Sequence, residues 1–252
     1  MPFFKRYKKI KYYNLIGILI FVGIWGLLSL FLDKLFLPTP IEVLEKIIEL
    51  LTKKGLYVDI YQTSLRTTLG LLWGGLVGLT MGLLAGCFKK IHLIFNLPID
   101  FLRSIPATAL FPLFIVIFGL GNNIKIFSSG WTVMFVIFIN TYYGVKNISP
   151  SKLLLAKLKR LNFFKRISLI ILPGALPNIV AGVRVAVSLA LVIELAAEMF
   201  LGSNYGLGTR IYNASTIFEM EEVYATILII GTMGYLLNLS MTKIEKKIIH
   251  WH

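Results

Sequence analysis

The sequence predicts an all-α membrane protein with about six transmembrane helices. Of its 252 residues, 57% are hydrophobic and only 15% are charged, which leaves too little polar surface to cover a soluble core of this size. The apolar residues form six stretches, each close to the roughly 20 residues that a helix needs to cross a bilayer. Lys and Arg outnumber Asp and Glu by 26 to 12, and the cations collect in alternate loops, as they do in membrane proteins.

The predicted spans cover residues 12–32, 67–88, 104–124, 126–145, 173–200 and 223–242. Basic residues precede the first span as in a signal peptide, but its uncharged stretch is longer than a signal core and no small-residue cleavage site follows, so we interpret it as a retained helix. In the second span, glycines at spacings of four predict close packing against another helix. Gly119, Gly121 and the polar residues up to Lys125 separate the third span from the fourth, which predicts a tight hairpin.

The loop charges predict how the spans are oriented. Seven cations and no acid lie between the fourth and fifth spans: Lys146, Lys152, Lys157, Lys159, Arg160, Lys165 and Arg166. Cations also dominate both termini and the loop at Lys89 and Lys90, whereas the intervening loops are balanced or acidic. Because such cations stay on the cytoplasmic side, both termini are predicted to be cytoplasmic in a multi-pass protein of a bacterial-type inner or cell membrane. This topology explains the basic excess, so lipid is the expected partner and nucleic acid is not.

The residues that carry chemistry do not predict an enzyme. No Gly-rich loop ending in Gly-Lys-Ser/Thr occurs, so ATP hydrolysis is expected only on a separate polypeptide. The single cysteine, Cys87, lies in an apolar run, so neither a disulfide framework nor a thiolate metal site is expected. No pairing of Ser with His, or of two Asp residues, falls at a suitable depth on neighbouring spans. We therefore expect no catalytic residue, metal or cofactor in this chain.

The basic loop at residues 149–170 is predicted to hold one or two short helices. Its apolar residues recur near helical spacing: Leu153, Leu154, Leu158, Leu161 and Phe164. A segment of this kind either lies on anionic lipid or seats in a groove of a partner protein. Pro173 and Pro177 follow, and because proline does not continue a helix unbroken, we expect a fixed elbow between this loop and the fifth span.

Six stretches of sequence carry a family resemblance. They are LPTPIEVLEKIIELLTKKG (37–55), TSLRTTLGLLWGGLVGLTMGLLAG (63–86), DFLRSIPATALFPLFIVIFGLG (100–121), NTYYGVKNISP (140–150), LPGALPNIVAGVRVAVSLA (172–190) and AEMFLGSNYGLG (197–208). In order and spacing they resemble the permease subunits of binding-protein-dependent ABC importers, specifically the nitrate, taurine, aliphatic sulfonate and bicarbonate branch. The resemblance extends over nearly the whole chain.

The resemblance implies a type I ABC importer permease fold that forms the translocation pathway for a small polar solute, such as an oxyanion or a small organic acid. It implies three partners: a second permease copy in a homodimer, a cytoplasmic ATPase dimer that holds ATP and magnesium, and an extracytoplasmic solute-binding protein. Residues 1–58 would then form the N-terminal basic segment, first span and external amphipathic helix. Residues 59–252 would form a five-helix permease core with a cytoplasmic coupling loop at 146–171.

The coupling loop departs from the family pattern. The family carries Glu-Ala-Ala with a glycine four residues after the second alanine, whereas this chain has Leu154, Leu155 and Ala156, with Arg160 at the glycine position. The resemblance assigns coupling to the ATPase to Ala156, Lys157, Arg160, Leu161, Asn162, Leu172 and Pro173. Because only one alanine is retained, a divergent non-transporting scaffold or regulatory subunit is the alternative. A stand-alone secondary carrier would require internal inverted repeats, which the sequence does not show.

Ionisable residues inside the spans are candidates for the translocation pathway, because a charge in the bilayer must face protein or water. Glu198 and Arg184 match positions of the family pattern, whereas Glu194 has no family counterpart and is the candidate for a solute-specific feature. The alternative roles are structural. Glu198 would then reach the outer interface, and Arg184 would form a salt bridge between helices.

Two polar residues near helix ends complete the predicted pathway. Arg103 matches the start of the third span and acts either as an interfacial anchor or as an anion ligand. Asn140 lies near the cytoplasmic end of the fourth span, where it either packs between helices or contributes to an inner gate. The Gly-, Ser- and Asn-rich segment at 202–216 is predicted to make a re-entrant turn on the side of the binding protein.

Overall fold

The computed structural model describes residues 2–32 and 36–248, without the side chains of residues 2–12, 14, 54, 157 and 248. In chain order its helices are α1 (Pro2–Phe31), α2 (Pro40–Thr52), α3 (Lys54–Cys87), α4 (Lys89–Ser104), α5 (Phe111–Phe118), α6 (Asn122–Lys146), α7 (Pro150–Leu158), α8 (Phe163–Arg166), α9 (Leu172–Leu201), α10 (Leu207–Thr216) and α11 (Met220–Ile248). A 3-10 turn at Ala107–Leu110 precedes α5, and a π-helical turn at Ile167–Ile171 precedes α9. The described residues contain no strand, which confirms the predicted all-α class.

Four helical segments are individually long and apolar enough to cross a membrane: Gly55–Cys87, Asn122–Lys146, Phe163–Leu201 and Met220–Lys247. They correspond to the second, fourth, fifth and sixth predicted spans. The first predicted span lies in α1, whose apolar part at Leu15–Phe31 is shorter. A bent pair of helices supplies up to one further span. The predicted multi-span helical membrane fold is therefore confirmed.

The third predicted span, residues 104–124, is not one helix. The segment Lys89–Ser104 is bent by 90° relative to Ala107–Phe118, and α5 has only eight residues. The bend falls at Ile105, whose backbone is extended (φ −82°, ψ 120°). Since Pro106 follows, steric conflict with the proline ring disfavours helical backbone at Ile105. The helix consequently ends where the sequence pattern suggested that a span begins.

The hairpin predicted between the third and fourth spans is confirmed. Gly119 and Gly121 have φ angles of 68° and 149°, which glycine adopts without the steric penalty that a Cβ atom would bring. The following helix, α6, begins at Asn122. Lys125, which was expected in the hairpin, instead lies in the first turn of α6 and is only 2% exposed.

The first of two compact units comprises Met1–Tyr57 and Arg210–Ile230. In α2, Thr39 and Glu42 form a reciprocal capping box that satisfies backbone donors at the helix start. Lys46 lies 3.3 Å from Glu49 and 3.6 Å from Glu222. Partial burial opposes the charge on Lys46, but its hydrogen bond to Glu49 and the nearby carboxylates outweigh burial and raise its pKa. The proposed N-terminal domain at 1–58 stays a prediction.

The second unit comprises Val58–Thr209 and Gly231–His252, and α3, α6 and α9 form its centre. A Cβ atom at Gly82 would lie only 2.7 Å from the Phe138 carbonyl oxygen, so α3 and α6 approach closely along the glycines. A Cβ atom at Gly182 would likewise lie 2.5 Å from the Asn140 Cβ atom, which brings α9 against α6. The prediction that the glycine-bearing span packs against protein is confirmed.

The segment before α9 contains two short helices, α7 and α8, as predicted. The expected elbow at Pro173 is wrong, because the chain is helical from Phe163 to Leu201. The Leu172 N–H donates to the Ile167 carbonyl, five residues earlier, and this wider π turn gives room for a proline ring that cannot donate a hydrogen bond. The chain turns earlier, between α7 and α8, where Arg160 has a φ angle of 47°.

Candidate functional site

A buried ion pair lies where α3 meets the end of α9. The Arg66 Nη1 atom lies 2.8 Å from the Glu198 Oε1 atom, and the two side chains are 4% and 0% exposed. Glu198 also accepts hydrogen bonds from Thr63 Oγ1 (2.9 Å) and from the Gly208 N–H (2.9 Å). Because burial of an ion is tolerated only when its charge and lone pairs are compensated, these contacts provide the compensation that a Glu198 carboxylate needs inside the protein.

The same arginine fixes the loop at residues 202–206. Arg66 donates to the Tyr205 carbonyl at 3.0 Å and to Ser203 Oγ at 3.1 Å. The Gly206 N–H donates to Asp59 Oδ1 at 2.8 Å. Gly206 has a φ angle of 145°, and a Cβ atom there would lie 2.5 Å from the Glu198 carboxyl group, so only glycine fits. The chain thus turns back after α9, as predicted, and the loop is tied to α3.

Two further ionisable side chains are buried beside this ion pair. Glu194 lies one helical turn before Glu198 and is 0% exposed, with no hydrogen-bond partner for either carboxyl oxygen among the described residues. Lys125 is 2% exposed, and its ammonium group donates to the Gly121 carbonyl at 3.1 Å. Arg66 completes its set of contacts through a 3.0 Å hydrogen bond to Asn122 Oδ1 at the start of α6.

A cavity of about 370 Å³ lies in the same unit, between the 3-10 turn, α6 and α9. Its walls are mainly apolar and include Trp131, Phe135, Leu189 and Ile193. Its polar lining includes Arg103, whose Nε atom donates to Asp100 Oδ1 at 2.9 Å while the side chain remains 48% exposed. Apolar walls with few polar groups are typical of small-molecule sites.

The residues predicted to line the pathway are dispersed in the structure. Arg103 borders the cavity, whereas Glu194 and Glu198 lie in the buried cluster and are not among the cavity residues. Arg184 bonds to Thr242 and forms a 3.1 Å ion pair with Glu245, which confirms the alternative of a salt bridge between helices. Asn140 donates to the Val136 carbonyl at 2.8 Å and packs on α9.

The structural alternative expected Glu198 to reach the outer interface. Glu198 is instead buried, and Arg66 and Thr63 contact its carboxyl group inside the protein. The roles of Glu194, Glu198, Arg184, Asn140 and Arg103 in transport stay predictions.

The predicted coupling residues fall at the turn between α7 and α8 and at the start of α9. Ala156 is 1% exposed and accepts a 3.1 Å hydrogen bond from the Leu161 N–H, which closes α7 with the geometry of a left-handed helix end at Arg160. The Asn162 side chain accepts from the Lys165 N–H at 2.9 Å and caps α8. Leu172 and Pro173 lie in the continuous helix. The side chain of Lys157 lies outside the described part of the structure.

Sequence reasoning missed Arg66, Thr63 and Asp59, since it counted the two charged residues with the outer loops. Their spacing of four and three residues places them on one face of α3. A polar face at one end of a long apolar helix was therefore the available signal. Lys125 was missed for a related reason, because a single cation between two apolar stretches indicated a loop.

Solved structures identify this helical arrangement as the fold of an ABC importer permease. The inward-facing MetNI methionine ABC transporter superposes with a TM-score of 0.62 at 17% identity, covering 81% of this chain and 98% of that chain. A bacterial alginate ABC transporter, solved with an alginate-bound periplasmic protein, gives a TM-score of 0.59 at 16% identity and covers 96% of both chains.

The sequence comparison then gives the family. The family model described as binding-protein-dependent transport system inner membrane component matches residues 65–250. This chain belongs to that family and is a permease subunit of an ABC importer. The resemblance inferred from the sequence is therefore confirmed.

Curated relatives match over most of their length. The aliphatic sulfonates transport permease protein SsuC of Bacillus subtilis is 32% identical over 215 residues, covering 85% of this chain and 78% of that protein. The taurine transport system permease protein TauC of Escherichia coli is 26% identical over 88% of this chain and 82% of its own. The bicarbonate transport system permease protein CmpB of Synechococcus elongatus is 28% identical over 93% of this chain and 88% of its own.

Proposed function

We propose that this permease forms the translocation pathway of an ATP-driven importer for a small oxyanion or small organic acid, such as a sulfonate, nitrate or bicarbonate. The observation that carries the proposal is the similarity to sulfonate, taurine and bicarbonate permeases over at least 85% of the chain. The named solutes of these relatives share an anionic group whose oxygens accept hydrogen bonds. The transported solute is expected to share that chemistry.

Arg103 is the proposed anion contact on the pathway. Guanidinium groups bind oxyanions through a planar fork of donors that matches two oxygens at once. Only the Nε atom of Arg103 is engaged by Asp100 among the described residues, so its terminal nitrogens remain available at the cavity. Glu194 and Glu198 would repel an anion if they were ionised in the pathway. The proposed contribution of Glu198, Arg184 and Asn140 is to hold the helices that border it.

The α7–α8 segment is the proposed contact with the ATPase. Leu158 and Phe164 are 73% and 78% exposed, and exposed cations surround them without an acid between Asp100 and Glu194. Such a surface fits an apolar groove with an acidic rim, because complementary charges orient a partner. Ala156, Lys157, Arg160, Leu161 and Asn162 are the proposed contacts. Leu172 and Pro173 would carry the movement into α9.

The proposed assembly contains two copies of this chain, two ATPase subunits that bind ATP and magnesium, and one solute-binding protein. The family description names a binding-protein-dependent system, which supports the last of these partners. The cation-rich segments support a membrane orientation with both termini in the cytoplasm.

Reconstitution of the permease with its ATPase and binding protein in proteoliposomes tests this function. ATP-dependent accumulation of labelled sulfonate, nitrate or bicarbonate is expected. Arg103→Gln should lower uptake, whereas Asp100→Asn, which keeps the guanidinium group and removes its ion-pair partner, should retain it. Assembly and ATP hydrolysis without accumulation of any of these anions would contradict the proposal. An equal loss of uptake in the two variants would show that Arg103 acts only through its salt bridge with Asp100.

A further inference from the structure

Glu194 stands apart from the other buried ionisable groups because neither of its carboxyl oxygens lies within hydrogen-bond distance and geometry of a donor among the described residues. Its exposed fraction is 0%. The nearby Ser129 hydroxyl donates to the Ile126 carbonyl at 3.1 Å. The cavity beside Arg103 does not include Glu194.

An ionised carboxylate in this position would be severely destabilising. Moving an unpaired charge out of water costs free energy comparable to the whole stability margin of a domain, even after the protein relaxes. A carboxyl group in such a place usually becomes neutral, since the neutral acid loses much less hydration. The protonated form therefore accounts for a buried Glu194 without a partner.

The charged neighbours of Glu194 have hydrogen-bond or ion-pair partners of their own. On α3, Arg66 pairs with Glu198 of α9 at 2.8 Å, and Asp59 accepts the Gly206 N–H. On α6, Lys125 donates to a carbonyl and forms no ion pair with Glu194 within 4.0 Å. Arg66, Glu198 and Lys125 thus each have a partner other than Glu194.

We propose that Glu194 is a proton-binding site, protonated while α9 packs against α6 and able to give its proton to water when movement of α9 admits water to the carboxyl group. The ligand is a proton, and the site consists of the Glu194 carboxyl group between Lys125 and the Arg66–Glu198 ion pair. Protonation is a property of the permease alone. Only its link to the transport cycle rests on the function proposed above.

Infrared difference spectroscopy of the purified permease tests the protonation directly. Subtracting the spectrum of Glu194→Gln from that of the wild type should reveal the C=O stretching band of a protonated carboxyl group. Asp100→Asn is the matched control and should remove carboxylate bands, because Asp100 is half-exposed and paired with Arg103. Loss of carboxylate bands in Glu194→Gln would overturn the proposal.

A carbodiimide reaction decides the question in the wild-type protein if the variant does not fold. Hydrophobic carbodiimides react with protonated carboxyl groups that they can reach. During ATP hydrolysis by the assembled complex, when movement of α9 opens the site, mass spectrometry should find the adduct on Glu194 and not on the ion-paired Glu198. A Glu194 that stays unmodified under these conditions would overturn the proposal.

The pH dependence of ATP-driven uptake tests the link to transport. A single proton released in the cycle changes an equilibrium by up to about tenfold per pH unit, and Glu194→Gln should remove that dependence from the assembled complex. An unchanged pH profile in the variant would refute the link. Absence of uptake in the wild type would instead count against the proposed transport function, while the infrared result would still stand.

Discussion

The guanidinium group of Arg66 and the carboxylate of Glu198 are 2.8 Å apart although 132 residues separate them in the chain. The pair joins α3 to α9 and also holds the loop that follows α9, through the Ser203 and Tyr205 contacts of Arg66. Removal of one partner leaves the other charge buried and uncompensated, which is more costly than loss of the attraction itself. We therefore expect a single substitution in this pair to lower the free energy of unfolding more than its share of the loss in the double variant.

Glu198→Gln should lower the free energy of unfolding by about 3 to 5 kcal/mol, because Arg66 would keep its charge in a site closed to water. Denaturant unfolding in detergent micelles measures this loss. The double variant Arg66→Gln with Glu198→Gln should lose less than the sum of the two single variants.

The ion pair of Arg184 with Glu245 provides the control. Its side chains are 39% and 35% exposed, and pairs that water can reach contribute only about 0 to 1 kcal/mol. Glu245→Gln should therefore be nearly neutral. If Glu198→Gln cost no more than Glu245→Gln, the Arg66–Glu198 pair would not have the role assigned to it.

Gly82→Ala should destabilise the contact between α3 and α6. The added methyl group would lie 2.7 Å from the Phe138 carbonyl oxygen and 2.7 Å from the Thr141 Cβ atom, and overpacking of this kind typically costs about 1 to 3 kcal/mol. Thermal unfolding in micelles provides the measurement.

Gly75→Ala is the matched control on the same helix, because no atom outside the local backbone of α3 lies within 4 Å of the Cβ position there. Alanine favours the helix over glycine by up to about 1 kcal/mol, so this variant should be neutral or stabilising. Equal losses at Gly82 and Gly75 would show that the glycines do not set the helix spacing.

Arg160→Gly should stabilise the end of α7. Arg160 has a φ angle of 47°, a conformation that costs a residue with a Cβ atom roughly 1 kcal/mol more than glycine. Hydrogen exchange of the Leu161 amide, which donates to the Ala156 carbonyl, should slow by about fivefold. Lys152→Gly, inside α7, should speed exchange instead, and a faster rate in Arg160→Gly would contradict the argument.

A cysteine placed at Lys159 should react with a membrane-impermeant maleimide only from the cytoplasmic side, in a background in which Cys87 is replaced by serine. A cysteine at Asn213 should react only from the other side, because α9 crosses the membrane between the two positions. Both positions are exposed. Labelling of Lys159→Cys from outside the cell would reverse the orientation inferred from the loop charges.

The helical membrane fold could be predicted because the length of an apolar stretch and the exclusion of charge are local properties of the chain. The hairpin at Gly119 and Gly121 could be predicted for the same reason, because glycine and polar residues indicate a turn locally. The 90° bend at Ile105 had a local signal in Pro106, but the apolar pattern continued through it. The hydropathy pattern therefore predicted one continuous span at 104–124, although the helix ends at Ser104.

The buried cluster could not be predicted from local pattern. Whether Arg66 lies in a loop or in the core depends on its packing against Glu198, a contact between distant parts of the chain. The continuous helix through Pro173 similarly depends on the π turn at Ile167–Ile171, which propensity alone does not indicate. Arg160 likewise adopts a left-handed backbone, although it is not the glycine that usually indicates this conformation at a helix end.

The unbroken helix from Phe163 to Leu201 has a mechanical consequence. Its 39 residues extend about 58 Å at the usual rise per residue, from the basic segment at one end to the loop anchored by Arg66 at the other. A tilt of about 5° at the basic end would displace the opposite tip by roughly 5 Å over this length. A small rotation at one end of this helix is thus enlarged into a displacement of several ångströms at its other end.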